Sequence, residues 1–262
     1  MKPLDDAYAN AAYIEGAETW PPKWQAEADR FRKSLGPRAE ISNRYGSSDR
    51  QVFDFFNASG VPRGTVIFVH GGYWKAFDHT SWSHLAAGPL SAGWSVAMPG
   101  YDLCPDLRIS EITRQVAEAV TKIAGRTDGP LVLAGHSAGG HLVGRMTDPL
   151  ILPDAVRSRI VRVAPVSPVA DLTPLMETTM NEILQIDAAE AQAESLVNMA
   201  PPQTEVKIWV GADERPAFLE QADLLARTWG ARQVIVPGRH HFDVIDAFTD
   251  PDSDLTAFLT GQ

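Results

Sequence analysis

From residue 65 onward the chain repeats one pattern: a short β-branched run ending at glycine or proline, then a stretch with helical spacing. The runs are TVIFVH (65–70), SVAMPG (95–100), LVLAGH (131–136), IVRVAPVS (160–167), EVKIWVG (205–211) and RQVIVPG (232–238), with QVFDFF (51–56) ahead of them. Apolar runs without polar alternation are buried on both faces, as the strands of a parallel sheet are. Between them, residues 110–124 place Ile112, Val116, Ala119, Val120 and Ile123 at three- and four-residue steps, with Ser110 as a start and Gly125 as a stop. Residues 216–229 give a second helix, with Pro216 suited to its first turn. The alternation predicts an open α/β sheet with helices on both faces.

Two segments break the rhythm. In TWPPKWQAEADRFRKSL, Trp24, Ala28, Phe31 and Leu35 form one helical stripe. Residues 1–40 therefore read as a helical extension, either packed on the rim or forming a partial cap over a pocket. Residues 168–204 are too long for a bare connection and read as an irregular helical insertion at the C-terminal edge of the sheet, where pockets form in such folds. No repeat, low-complexity tract or linker divides residues 1–262, so one domain is expected.

Charge narrows the partners. With 33 acidic against 23 basic residues the net charge is −10, and no Lys/Arg cluster offers a basic face to nucleic acid. Cys104 is the single cysteine, which excludes an internal disulfide and suits a reducing compartment. The N-terminus lacks the apolar core of a signal peptide, and no stretch approaches the ~20 apolar residues needed to cross a bilayer. A cytoplasmic protein without membrane contact is expected.

The run LVLAGH continues as SAGGHLVGR, so Gly135-His136-Ser137-Ala138-Gly139 fits G-x-S-x-G between a strand and a helix. A strand that turns at once into a helix strains its turn residue, and small neighbours let the two elements approach. Ser137 would stand at that bend, near a helix N-terminus whose field favours negative charge. A glycine-rich phosphate loop is the competing reading, but the G-K-[ST] ending is missing.

A serine hydroxyl needs a base. Of seven histidines, His136 is expected to point away from Ser137, His141 to be a packing residue and His70 to hold its loop. His240 and His241 follow the last strand, where the base belongs in a Ser–acid–His chain order, and His241 is favoured because Phe242 can anchor it. The base in turn needs a carboxylate. After KIWVG come Asp213 and Glu214; three residues past the glycine selects Glu214, with Asp213 as the alternative. The negative oxygen of a tetrahedral intermediate needs preorganised N–H donors. His70-Gly71-Gly72-Tyr73-Trp74 follows a strand at the right point, so Gly71, Gly72 and Tyr73, with the N–H of Ala138, are the expected donors. Tyr73 and Trp74 are also expected to wall an aromatic-sized pocket, with core packing as the alternative for each. Zinc motifs such as H-E-x-x-H are absent, so no metal is expected.

With these residues in hand, the chain resembles the α/β-hydrolase superfamily, and within it the serine-dependent kynurenine formamidase (arylformamidase) branch of the esterase/lipase group. HGGYW (70–74), YDLCP (101–105), GHSAGGHL (135–142), SPVADLTPL (167–175), ERPAFLEQ (214–221) and HHFDV (240–244) carry the resemblance. It implies the α/β-hydrolase fold, a mostly parallel sheet of about eight strands with helices on both faces, and one catalytic domain without a cofactor. It also implies hydrolysis of an N-formyl aryl amide such as N-formylkynurenine, with carboxylesterase or thioesterase activity on short acyl substrates as the alternative. In that register the family's acid falls on Glu214, where family members mostly carry Asp. The expected partner is a small acyl substrate, and a homodimer stays open.

Overall fold

The computed structural model describes residues 2–262. Among these, eight strands form one sheet: β1 (Ala39–Arg44), β2 (Val52–Phe56), β3 (Thr65–Val69), β4 (Ser95–Pro99), β5 (Leu131–His136), β6 (Ile160–Val166), β7 (Glu205–Gly211) and β8 (Arg232–Val236). Their spatial order is β1-β2-β4-β3-β5-β6-β7-β8. The pairs from β4 through β8 are parallel, and β1 and β2 join antiparallel at one edge. Residues of β2, β3, β4 and β5 are buried throughout, which is why each reads as a largely apolar run, interrupted in β2 by the buried Asp54.

Alternation within the runs fills two layers. Leu131 and Leu133 of β5 pack with Ile109, Ile112, Val116, Val120 and Ile123 on one face, while Val132 and Ala134 pack with Trp24, Phe248, Leu255 and Leu259 on the other. The helix Ile109–Ala124 starts ahead of the predicted Ser110. Its first turn is closed by Glu111, whose carboxylate accepts from the Arg108 N–H at 2.9 Å, so the acid rather than the serine satisfies a free donor. The helix Pro216–Trp229 has the predicted bounds. No helix among the described residues is long and apolar enough to cross a membrane.

Topology positions the site. The chain leaves β3 toward β4 on one side and returns to β5 on the other, so the order in which strands are added reverses between β3 and β5. In open α/β sheets a crevice forms beyond the strand C-termini at such a reversal. The loops after β3 and β5 carry the HGGYW and GHSAGG motifs.

Candidate active site

Ser137 occupies the junction of β5 and the helix Ala138–Arg145 with φ +55° and ψ −117°, a strained conformation for a residue with a side chain. Its N–H donates to Val166 O of β6 at 2.8 Å, which holds the bend in place. The flanking glycines are steric necessities. A Cβ on Gly139 would sit 2.0 Å from Val69 O, and one on Gly135 would sit 2.2 Å from Gly139 O. Strand and helix thus approach more closely than any side chain allows. Ser137 is 1% exposed, lines a cavity, and its Oγ has no hydrogen-bond partner among the described residues.

The loop after β8 brings His241 to the same cavity, and the loop after β7 brings Glu214 beneath it. His241 Nδ1 and Glu214 Oε2 are 2.6 Å apart, with the carboxylate side chain fully buried. A carboxylate on Nδ1 keeps that nitrogen protonated and leaves Nε2 as the proton acceptor. The other Glu214 oxygen accepts from the Ser167 hydroxyl and from Gly211 N–H, the latter at 2.8 Å. Asp213 is exposed, and only its backbone is engaged, its N–H donating to Arg239 O at 2.9 Å. Of the two adjacent acids, the structure turns Glu214 toward the imidazole and Asp213 toward solvent. Phe218 packs against His241 at 4.4 Å between centroids, whereas Phe242 lies 6.3 Å away and packs on Trp24 at 5.3 Å.

His70 supports the glycine loop. Its ring stacks on Tyr101 at 4.3 Å, and its Nδ1 bonds Gly71 O at 2.7 Å. Burial pulls its pKa down to about 3, so it is neutral and donates through Nδ1. Gly71 lies flush against the bend, since a Cβ there would reach within 3.0 Å of Ser137 Cβ. Among the described residues, the N–H groups of Gly71, Gly72, Tyr73 and Ala138 donate to no backbone carbonyl outside the regular elements, leaving them free for a bound oxygen. Tyr73 lines the cavity and donates its hydroxyl to Tyr8 O at 2.9 Å.

Two expectations are corrected. Trp74 does not wall the pocket: it is fully buried, absent from the cavity lining, and packs edge-on against His141 at 5.1 Å, where an indole covers more apolar area than a cavity wall offers. His136 does not point away from the site. It lines the cavity at the end of β5 with its ring 4.6 Å from that of His241, which the loop after β8 brings there. Burial pushes its pKa well below the ordinary histidine value, so it adds no charge. The insertion 168–204 contributes no lining residue. Its Leu172, Leu175, Leu184 and Ile186 pack into the core, and its Glu194 accepts from Thr113 Oγ1 (2.7 Å) and Arg145 Nε (3.2 Å).

The cavity measures about 820 Å³, within the range of small-molecule sites. Nine of its twenty lining residues, from Tyr8 to Trp24, come from the N-terminal segment, so residues 1–40 supply much of its wall. The helix Trp20–Leu35 is seated on His79–Ala86, where Arg32 donates to Ser83 Oγ at 2.6 Å. Lys75 lines the cavity and makes no ion pair among the described residues. Arg145, Arg215 and Arg239 are each engaged elsewhere, with Glu194 and Asp148, Asp6, and Asp243 respectively.

Comparison with known proteins shows the family and the fold. A model of the alpha/beta hydrolase family matches residues 66–259. The chain is 30% identical to a kynurenine formamidase of Drosophila melanogaster over 242 residues, covering 82% of this chain and 79% of that protein. It is 26% identical to a kynurenine formamidase of Salmo salar, with the same coverage of 82% and 79%. A crystal structure from Silicibacter sp. TM1040, of a protein provisionally labelled a thioesterase, matches with a TM-score of 0.98 at 57% identity, covering 99% of this chain and 100% of that one. A Pyrobaculum calidifontis esterase shares the fold, with a TM-score of 0.70 at 17% identity over 93% of this chain and 92% of its own.

Proposed function

The chain belongs to the alpha/beta hydrolase family, and on that premise we propose that it is a serine hydrolase of small N-formyl aryl amides, of the N-formylkynurenine type. One observation carries the mechanistic half: Glu214 bonded to His241 at 2.6 Å, on the cavity that Ser137 also lines. In this reading His241 Nε2 takes the Ser137 proton as Oγ bonds to the formyl carbon. The tetrahedral oxyanion forms against the N–H groups of Gly71, Gly72, Tyr73 and Ala138. The C–N bond then breaks as His241 returns the proton to the leaving amine, and a formyl ester remains on Ser137. Water, deprotonated by His241, attacks that ester; formate leaves and the serine is restored.

The substrate half rests on the formamidase relatives and on the cavity. Its wall is largely apolar and large enough for an aryl group, and Lys75 offers a charge to an anionic substrate. A second reading, hydrolysis of short acyl esters or thioesters, is favoured by the label on the Silicibacter protein at 57% identity. Turnover measured side by side on N-formylkynurenine, p-nitrophenyl acetate and an acyl-CoA separates the two. Formamide cleavage with the highest kcat/KM supports the first reading, and ester or thioester turnover without formamide cleavage removes it.

A further inference from the structure

The N-terminal segment carries a polar side chain that nothing in the chain uses. Asn10 is 7% exposed and lines the cavity, yet neither its Oδ1 nor its Nδ2 has a hydrogen-bond partner among the described residues. The residue is fixed in place. Its N–H donates to Tyr8 O at 3.2 Å, the same carbonyl that accepts from Tyr73 Oη at 2.9 Å. Tyr8 Oη in turn accepts from Gln221 Nε2 at 2.9 Å. Asn10 is therefore held beside the glycine loop, on the cavity shared by Ser137 and His241.

A buried carboxamide without partners is unfavourable, and a native fold retains one where something else completes it. The Trp24 and Trp82 indoles on this wall are also unpaired, but they can only donate. Apart from Ser137 and His136 at the strand end, Asn10 Oδ1 is the unpaired buried side-chain acceptor of the cavity among the described residues. An acceptor suits a substrate that brings a donor. The scissile N–H of an amide is such a donor, and an ester has none.

We propose that Asn10 is a specificity-determining residue whose Oδ1 accepts the N–H of the scissile amide; the inference rests on the formamidase reading above. As the formyl carbon becomes tetrahedral, the amide nitrogen turns pyramidal and its N–H swings out of the plane. An acceptor already fixed there favours that state over the planar ground state, so it raises the rate on amides and not on esters.

The test uses the intact protein and Asn10→Leu, a substitution close in volume. Both are assayed on an aryl formamide and on the matching aryl formate ester, with fluorophosphonate labelling of Ser137 and Tm measured alongside. The expected result is a fall of roughly tenfold or more in formamide kcat/KM, with the ester rate and labelling rate within about twofold. Tm stays level or rises, because the substitution removes an orphaned polar group; a structural role would lower it. A lower Tm, equal losses on both substrates, or no loss on either overturns the assignment while leaving the formamidase reading intact. A parent enzyme that cleaves the ester and no formamide overturns both.

Discussion

Replacing Glu214 by glutamine tests the acid with the least change of shape. The carboxylate serves His241 Nδ1 through one oxygen, and Ser167 and the Gly211 N–H through the other. Glutamine cannot serve all three. If its NH₂ faces His241, Nδ1 must accept, the proton moves to Nε2, and the base can no longer take the serine proton. If its oxygen faces His241, the NH₂ meets the Gly211 N–H donor to donor, which costs about 1–3 kcal/mol. Either way the negative charge facing the developing imidazolium is gone. For unit charges about 4 Å apart at an effective dielectric of about 20, that is about 4 kcal/mol, or roughly 10³-fold in rate. With the tautomer penalty added, kcat falls by roughly 10³ to 10⁴. Steady-state kinetics on the best substrate of the panel measure this, with Asp213→Asn as the control, and the control stays within about twofold because Asp213 is exposed and its side chain makes no bond to the site. A Glu214→Gln enzyme that keeps more than about a tenth of kcat, or an Asp213→Asn enzyme that loses as much, refutes the reasoning.

Other outcomes follow from the same structure. Thermal stability peaks near pH 6.5. Burial holds His70 and His141 down to about 3, so the unfolded chain takes up those protons first, and stability drains as pH falls from 6.5 toward 3. His79 runs the other way. Burial pulls it down, but the neighbouring carboxylates of Asp54 (3.5 Å) and Asp78 (3.1 Å) outweigh that and lift it to about 9, so its contribution is full below 6.5 and is lost as pH rises through 9. A Tm that climbs steadily from pH 5 to 9 contradicts this account. Gly139→Ala drives a methyl into Val69 O, a backbone atom that cannot yield, and lowers stability by about 3 kcal/mol or more, read as a Tm drop of roughly 6–12 °C; an unchanged Tm would mean the junction is looser than described. Lys75→Gln raises KM for an anionic formamide by about two- to fivefold and leaves a neutral ester unaffected, and equal effects on both remove the charge-pairing role.

Most of the sheet was legible because β2 through β5 are buried throughout and β6 and β7 over their last four residues, and a buried strand is written mainly in apolar residues, while β8 at the edge still carries the apolar run VIV. β1 was not, because AEISNR lies at the sheet edge with partly exposed side chains and needs no such run. Ser137 and the glycine loop were readable because close backbone approach dictates the residue types around them. The geometry of His136 and Trp74 was not, since which way a side chain leaves a tight turn depends on packing from distant segments. The cavity wall contributed by residues 8–24 was only half visible. The Trp24–Leu35 stripe predicted the helix, but Asn10 and its neighbours carry no periodicity, and their place is set by bonds to Tyr73 and Gln221 far along the chain. The choice of Glu214 over Asp213 was legible in its spacing from Gly211, whose N–H, with the Ser167 hydroxyl, donates to the Glu214 carboxylate and holds it inward.

Mapping the site of a fluorophosphonate adduct by peptide mass spectrometry tests the nucleophile most directly. A single adduct on the peptide containing Ser137, with neither labelling nor turnover in Ser137→Ala at an unchanged Tm, is the predicted result. An adduct on another residue, or a Ser137→Ala protein that still hydrolyses its substrate at the parental rate, contradicts the account.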